Sequence, residues 1–523
     1  MEVSLQKSNG ARNGAFFVIA ALCAVAVPEK GFAAPVAFKD AAKIKSWDAW
    51  NDHKGPQVWK ERPCVTWQKL NATDPGLKRV GTLKTRTAKE IKSSRWSVGC
   101  ETLDRDYADW DQYKRFLAEL GAKRGRLLSG WAKTEQSKGV YDFSWLDPQV
   151  REMAAMGVKP WICICYGNPV WGSDFRLGMR LKQITDDQEA FVAWLRYVKA
   201  LVARYKDVVE EWEIWNEPFG QRDEYAKMVV ETARAVKSVQ PEAKCIVTAM
   251  AFGYTRDQSK NEYRAVADRL KAENALDLVK YWSFHPYCAN PDWAYLTYDE
   301  SEAIEESNEM TYQWRRYFAP EFERFLKSYS KDWVVLQGEV GCPSQLEYAH
   351  ALNGIEWTEY SQAKWNLRLQ MGAAVREMPS SLFTFIDLQY TFMLQSFGLI
   401  RSNALKEPVY RRPSFYAMKN FYSVFDDDVS VKGFEKRKIG RRELSIARFS
   451  RFGKPFAVVW FSGECPSDSL AYESVDLSCL IADKPAQWID LLTGRAYELR
   501  DLRSTPVWDS PVMLAGEGVL PLE

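Results

Sequence analysis

Two short stretches of this sequence place a glutamate where a β-type run gives out. In EEWEIWNEPFG, residues 210–220, alternation sets Trp-Glu-Ile-Trp on a strand that Pro218 and Gly220 end, so Asn216 and Glu217 emerge at its C-terminal tip. In WVVLQGEVGCPS, residues 333–344, an apolar run from Trp333 to Leu336 leads to Glu339 just before Gly341 and Pro343. Two carboxyl groups are what cleavage of a sugar acetal needs. One is protonated and gives its proton to the leaving oxygen; the other is ionised and attacks carbon or activates water. Either glutamate alone reads better as a solvated strand-end acid. The rarity of Trp-Asn-Glu-Pro on average composition, and a second acid at a compatible spacing, favour the chemical reading.

The elements that must bring the two acids together are legible as an alternation. β-type runs begin near Trp96, Gly125, Pro160, Glu211, Cys245, Val279, Trp333 and Leu382, with amphipathic stretches between them. Trp110, Tyr113, Leu117 and Leu120 recur at helical spacing before a stop at Gly121, and Asp147-Pro148 reads as a cap and first-turn proline for a helix stopping at Gly157. This pattern predicts an α/β chain, a (β/α)8 TIM barrel over residues 94–428. Glu217 and Glu339 are 122 residues apart, about 41 for each of three intervening units, which suits strands four and seven. Barrel enzymes keep their chemistry at the C-terminal ends of the strands. A doubly wound open sheet is the alternative, but no G-x-G-x-x-G follows the first strand. From Val429, short segments such as FAVVWFSG and QWIDLL predict a small C-terminal β-sandwich over 429–523. The extension 35–93 fits under the barrel or against the sandwich.

Composition narrows the partners. The 523 residues carry 71 Lys plus Arg against 69 Asp plus Glu, a net charge of +2 with no basic block, so nucleic acid is not an expected partner. Hydrophobic content of 46% with 27% charged residues excludes wholesale disorder and a multi-span membrane protein. The 22 tryptophans suit flat faces for pyranose rings, although large cores use them too. Residues 1–34 read as a secretory signal peptide: Lys7 and Arg12 precede an apolar run from Ala15 to Val27, with small residues for a cut after Ala33. The run is too short to span a bilayer, so a secreted or periplasmic protein without stable membrane insertion is expected; a retained anchor helix is the alternative. Nine of the ten cysteines would remain. Cys163 and Cys165 share one strand face and read as packing, whereas Cys465 and Cys479 would close a loop in the C-terminal module. Three histidines, without Cys-x-x-Cys pairs or a His-x-x-x-His spacing, argue against a metal site, and no cofactor is expected.

The barrel region resembles clan A of the glycoside hydrolases, and within it family 39, the β-xylosidase and α-L-iduronidase family. The similar stretches are Gly121-Ala122 through Arg126, GVYDFSWLD (139–147), EIWNEP (213–218), HPY (285–287), FTFID (383–387) and RRPSFYAMKNF (411–421), together covering about residues 95–425. The resemblance implies a retaining hydrolase acting on O-glycosidic bonds of oligo- or polysaccharides, with Glu217 as acid/base and Glu339 as nucleophile. It also implies that Asn216 binds the sugar hydroxyl beside the reacting carbon, that Tyr287 steadies the nucleophile with His285 beside it, and that Arg126 keeps the nucleophile ionised. Arg126 fits equally a buried ion pair with Glu213, and His285 a hydrogen-bonded core histidine. Trp131, Asn168 and Trp171 follow strands two and three, where they would line sugar subsites; the tryptophans serve packing equally well. The sequence departs from the family at Phe383, where a Trp is usual, and in the unmatched stretch LQYTFMLQ that follows Asp387. Two rivals accompany this reading: a non-catalytic glycan-binding protein on the same scaffold, and an inverting hydrolase with its carboxyls about 6.5 to 9.5 Å apart.

Overall fold

The computed structural model describes residues 70, 73–173, 181–218, 221–248, 262–295, 319–348, 350–391, 393–481 and 485–523. The export segment 1–34 and most of the extension 35–93 lie outside the described residues.

Eight parallel strands close into a barrel: β1 Trp96–Gly99, β2 Arg124–Leu128, β3 Lys159–Ile164, β4 Glu211–Ile214, β5 Lys244–Val247, β6 Val279–Phe284, β7 Val334–Val340 and β8 Ser380–Leu382. Closure is made by β1 against β8, with Val98 opposite Leu382. The strands are buried along most of their length because helices cover the outer face. These are α1 Arg115–Leu120, α2 Asp147–Ala155, α3 Gln188–Tyr205, α4 Arg222–Val239, α5 Glu262–Ala272, α6 Ala319–Lys327, α7 Glu359–Val375 and α8 Pro413–Val424.

Local chemistry sets the helix ends. Gly121 stops α1 at φ +85°, and the Asp187 carboxylate starts α3 by accepting from the amides of Glu189 and Ala190. At α2 the structure differs from expectation. Asp147 lies inside the first turn rather than capping it, and its carboxylate is engaged by Arg204 and by the Tyr205 hydroxyl at 2.9 Å. The two stretches FTFID and RRPSFYAMKNF meet where Arg412 grips Asp387 through Nη1 at 2.6 Å and Nη2 at 2.8 Å.

Beyond α8 lies a β-sandwich built on a seven-stranded antiparallel sheet. Its order is Arg79–Thr82, Arg495–Glu498, Gln487–Asp490, Val512–Ala515, Lys454–Ser462, Arg442–Arg451, Val429–Ile439. A two-stranded ladder, Glu473–Val475 with Thr505–Val507, layers against it where the Trp488 indole donates to the Pro506 carbonyl at 2.8 Å. The strand Arg79–Thr82 comes from the N-terminal extension, and a few residues later Ala88 bonds to the Ala118 carbonyl at 2.9 Å. The described part of the extension thus touches both modules.

Helix α7 is buried on almost every face between barrel and sandwich. It carries polar groups inward: the Lys364 ammonium meets Asp509 at 2.6 Å, and Arg368 meets Asp292, Asn290 at 3.0 Å and the Glu464 carbonyl at 2.8 Å. The Trp365 indole donates to the carbonyls of Cys288 and Ala289. Cys163 and Cys165 are buried in the barrel with sulfurs 3.8 Å apart, and Cys465 and Cys479 are free thiols, so the expected loop closure is not formed.

Candidate active site

The site is built where β4, β6 and β7 end. Immediately after β4 the backbone enters the left-handed region twice, at Trp215 (φ +66°) and Glu217 (φ +49°). A non-glycine residue held there costs about 1–3 kcal/mol and persists only when its surroundings fix it. Trp215 is fixed by its amide bond to the Ile164 carbonyl at 3.0 Å and by edge contacts with Tyr166 and Trp194, each at 5.7 Å. The double turn sets Asn216 and Glu217 at the mouth of the barrel.

Glu339 lies on β7 between Gly338 and Val340. Gly338 has no room for a side chain, since a Cβ there would collide with the Ser283 hydroxyl and press on His285 Nε2. Gly341 is constrained in the same way by the Phe383 carbonyl. These close approaches let β7 run tight against its neighbours, so that the Glu339 carboxylate reaches the groups arriving from β2 and β6.

One oxygen of Glu217, one of Glu339 and one ring nitrogen of His285 all lie within 4.8 Å of one another. The two carboxylates remain 19% and 12% exposed, in contact with solvent at the mouth. His285 Nδ1 bonds Glu217 Oε1 at 2.9 Å. Tyr287 donates to Glu339 Oε1 at 2.9 Å, and Arg126 Nη1 donates to Glu339 Oε2 at 2.8 Å.

Arg126, wholly buried, is the hub. Its guanidinium also reaches Glu101 at 2.8 Å, Glu213 at 2.6 Å and the Asn216 side-chain oxygen at 2.8 Å. The two readings of Arg126 are therefore compatible, because one guanidinium serves both Glu213 and Glu339. Asn216 in turn donates to the Tyr166 hydroxyl at 2.8 Å.

The two acids are biased in opposite directions. Burial raises the Glu217 carboxyl above its ordinary value and the Glu339 charge adds to this, against the His285 hydrogen bond. Burial pushes Glu339 the same way, but His285, Arg126 and the Tyr287 hydroxyl outweigh it and hold the carboxyl below its ordinary value. Glu217, His285 and Glu339 are also spaced as three ligands of a divalent ion would be. Each is already hydrogen-bonded, and the guanidinium 2.8 Å from Glu339 opposes a second cation there.

Trp131, Asn168 and Trp171 gather elsewhere, around Glu135. Trp131 is 0% exposed and Trp171 7%, and both indole N–H groups donate to the Glu135 carboxylate, at 2.6 and 3.0 Å. Asn168 accepts from the Val170 amide at 3.1 Å and donates to the Glu135 carbonyl at 2.8 Å. Their polar side-chain atoms are committed to Glu135 and to neighbouring backbone groups. Trp131 and Asn168 do contribute to a cavity of about 320 Å³, whose wall includes Asp104, Lys133, Gln136 and Tyr166. Three participants went unrecognised in the sequence: Glu101, Tyr166 and Thr248, whose hydroxyl donates to Glu213 at 2.5 Å. A signal existed for Glu101, the third acid at a strand exit, in WSVGCE.

The fold is a (β/α)8 barrel followed by a β-sandwich. No protein-family profile matches the sequence, and no curated protein does. Among solved structures, a family 39 glycoside hydrolase from Bacteroides cellulosilyticus WH2 superposes with a TM-score of 0.59 at 18% identity, over 81% of each chain. A β-xylosidase from Caulobacter crescentus CB15 follows at 0.44 and 16%, over 79% of this chain and 83% of that one. A GH39 enzyme from Xanthomonas axonopodis pv. citri gives 0.43 and 16%, over 70% and 73%. Among the described residues no helix is long and apolar enough to cross a membrane.

Proposed function

We propose that this chain is an exported retaining glycoside hydrolase that cleaves O-glycosidic bonds of carbohydrates by double displacement. The reading is carried by one observation: Glu217 and Glu339, from the ends of β4 and β7, bring carboxylate oxygens within 4.8 Å in one solvent-reached site. Carboxylate oxygens this close favour the roughly 5 Å of a retaining pair over the roughly 6.5–9.5 Å of an inverting one.

In the first step the Glu339 carboxylate attacks the anomeric carbon while Glu217 gives its proton to the departing oxygen. The covalent glycosyl-enzyme is then opened by a water that Glu217 deprotonates, and the sugar leaves with its configuration retained. Tyr287 and Arg126 keep Glu339 ionised and oriented, and Asn216, held by Arg126 and Tyr166, would bind the hydroxyl next to the reacting carbon. No step calls for a cofactor. Export rests on the signal-like segment 1–34.

The test is a panel of aryl glycosides and polysaccharides, with product anomers followed by NMR. Glu217→Gln and Glu339→Gln should each lose at least about a hundredfold in turnover while melting as the parent does. A 2-fluoro sugar should leave an adduct on Glu339 by intact mass. Full activity in either variant removes that residue from its role. Failure to turn over any glycoside or form any adduct favours the non-catalytic glycan-binding reading instead.

A further inference from the structure

Arg126 faces more carboxyl groups than one guanidinium can balance. Its Nη1 lies 2.8 Å from both Glu101 Oε1 and Glu339 Oε2, and its Nε lies 2.6 Å from Glu213 Oε2. Glu217 stands beside them, bonded to His285. Even with His285 protonated, four carboxyl groups here face two cations. Glu101, Glu213 and Arg126 are buried, and charge left uncompensated in such a place is costly. Balance therefore asks two of the four acids to keep their protons. Glu217 is one of them by its role as the acid.

Hydrogen bonding selects the other. Glu213 accepts from Arg126 Nε and from the Thr248 hydroxyl, at 2.6 and 2.5 Å. Glu339 accepts from Arg126 and from Tyr287, at 2.8 and 2.9 Å, and meets solvent as well. Two donors each suit the ionised form. Among the described residues the Glu101 side chain accepts from Arg126 alone, through Oε1. Gly99 makes the room for it, since a Cβ there would lie 2.8 Å from that oxygen. Burial raises the Glu101 carboxyl to about 8 against the Arg126 charge, and the charges of Glu339 and Glu213 add to the rise. Tyr287, Tyr390 and Cys100, on which the Glu101 charge acts, are themselves pushed up by burial and stay neutral.

We infer that Glu101 is a positioning residue of the proposed reaction: it holds Arg126 as an uncharged acid, so that the guanidinium's charge is left to Glu213 and to the nucleophile Glu339. A third anion on the same Nη1 would share the charge that keeps Glu339 ionised. The inference deepens the hydrolase reading and rests on it for the role of Glu339.

The wild type, Glu101→Gln and Glu101→Met are compared by thermal unfolding from pH 4 to 9 and by pH profiles of kcat/KM on a glycoside that the enzyme turns over. A carboxyl raised in the folded state favours folding below its unfolded value of about 4.3 and loses that contribution as the pH rises through the folded one. Other groups titrate alike in all three proteins and cancel. The Tm of each variant minus that of the wild type should therefore climb by at least about 3 °C between about pH 5 and 8, whatever constant offset the variant carries. A difference that stays flat over this range and changes only below it marks an ionised Glu101 and overturns the inference. So does a Glu101→Gln protein that does not fold, because Gln keeps the shape of the neutral acid. In turnover, Glu101→Gln should stay within about threefold of the wild type with its acid limb in place. Glu101→Met should lose at least about tenfold, since Arg126 Nη1 then lacks an acceptor. An acid limb moved about half a unit or more to lower pH in Glu101→Gln, or a Glu101→Met enzyme as active as the wild type, overturns the inference. Thermal unfolding needs no substrate, so it decides where the proton sits even if no glycoside is cleaved.

Discussion

Tyr287 is a residue whose removal reports on the acid it touches. On the proposed mechanism Glu339 acts ionised, so activity should be lost as the pH falls through its lowered pKa, and Glu217 acts protonated, so activity should be lost as the pH rises through its raised one. Tyr287→Phe deletes a 2.9 Å donor to Glu339, which lets that carboxyl take a proton more readily. The acid limb of kcat/KM should move to higher pH, with the basic limb in place and a loss of about tenfold on the acid side, since hydrogen bonds to charged groups are worth about 1.5–3 kcal/mol. A pH–rate profile checks it, and an acid limb that does not move would separate Tyr287 from the nucleophile. At this scale the sequence pointed to the two glutamates that the structure brings together, because residue type and strand-end position are both local. It did not reveal Tyr166 or Thr248, which reach the site only through barrel closure. Nor did it reveal the direction of Trp131 and Trp171, which is decided by Glu135 taking both indole protons.

Strand β7 makes the corresponding argument for elements. Gly338 precedes Glu339, and a methyl group there meets Ser283 and His285 on β6 and its exit. Gly338→Ala should therefore destabilise by about 1–3 kcal/mol, as overpacking does, and lower activity further by disturbing the His285 contact with Glu217. Thermal unfolding beside kinetics tests both effects, and a variant as stable and active as the parent would show that β6 gives way freely. Strand positions were legible within a residue or two, since alternation and apolar runs announce them. Helix α7 was not. Its polar residues point into an interface that forms only when barrel and sandwich meet, so nothing local marks Lys364 and Arg368 as partners of the distant Asp509 and Asp292. The start of α2 was placed too late for a similar reason, because Arg204 and Tyr205 on α3 claim the Asp147 carboxylate.

For the whole molecule, the barrel was readable from its repeated units, and the sandwich as a change of pattern at Val429. The sharing of one sheet by both ends of the chain was not, because strand partners several hundred residues apart leave no mark on each other's sequence. Arg79–Thr82 is the edge partner of Arg495–Glu498. A fragment cut at Val429 would keep the second of these strands and lose the first, leaving a row of unsatisfied backbone donors and acceptors on an open edge. Such a fragment should self-associate in sedimentation experiments, whereas one joined through a linker to residues 73–93 should stay monomeric. The C-terminal module is thus not a detachable cassette, and anyone grafting it onto another enzyme would have to bring the distant upstream segment along.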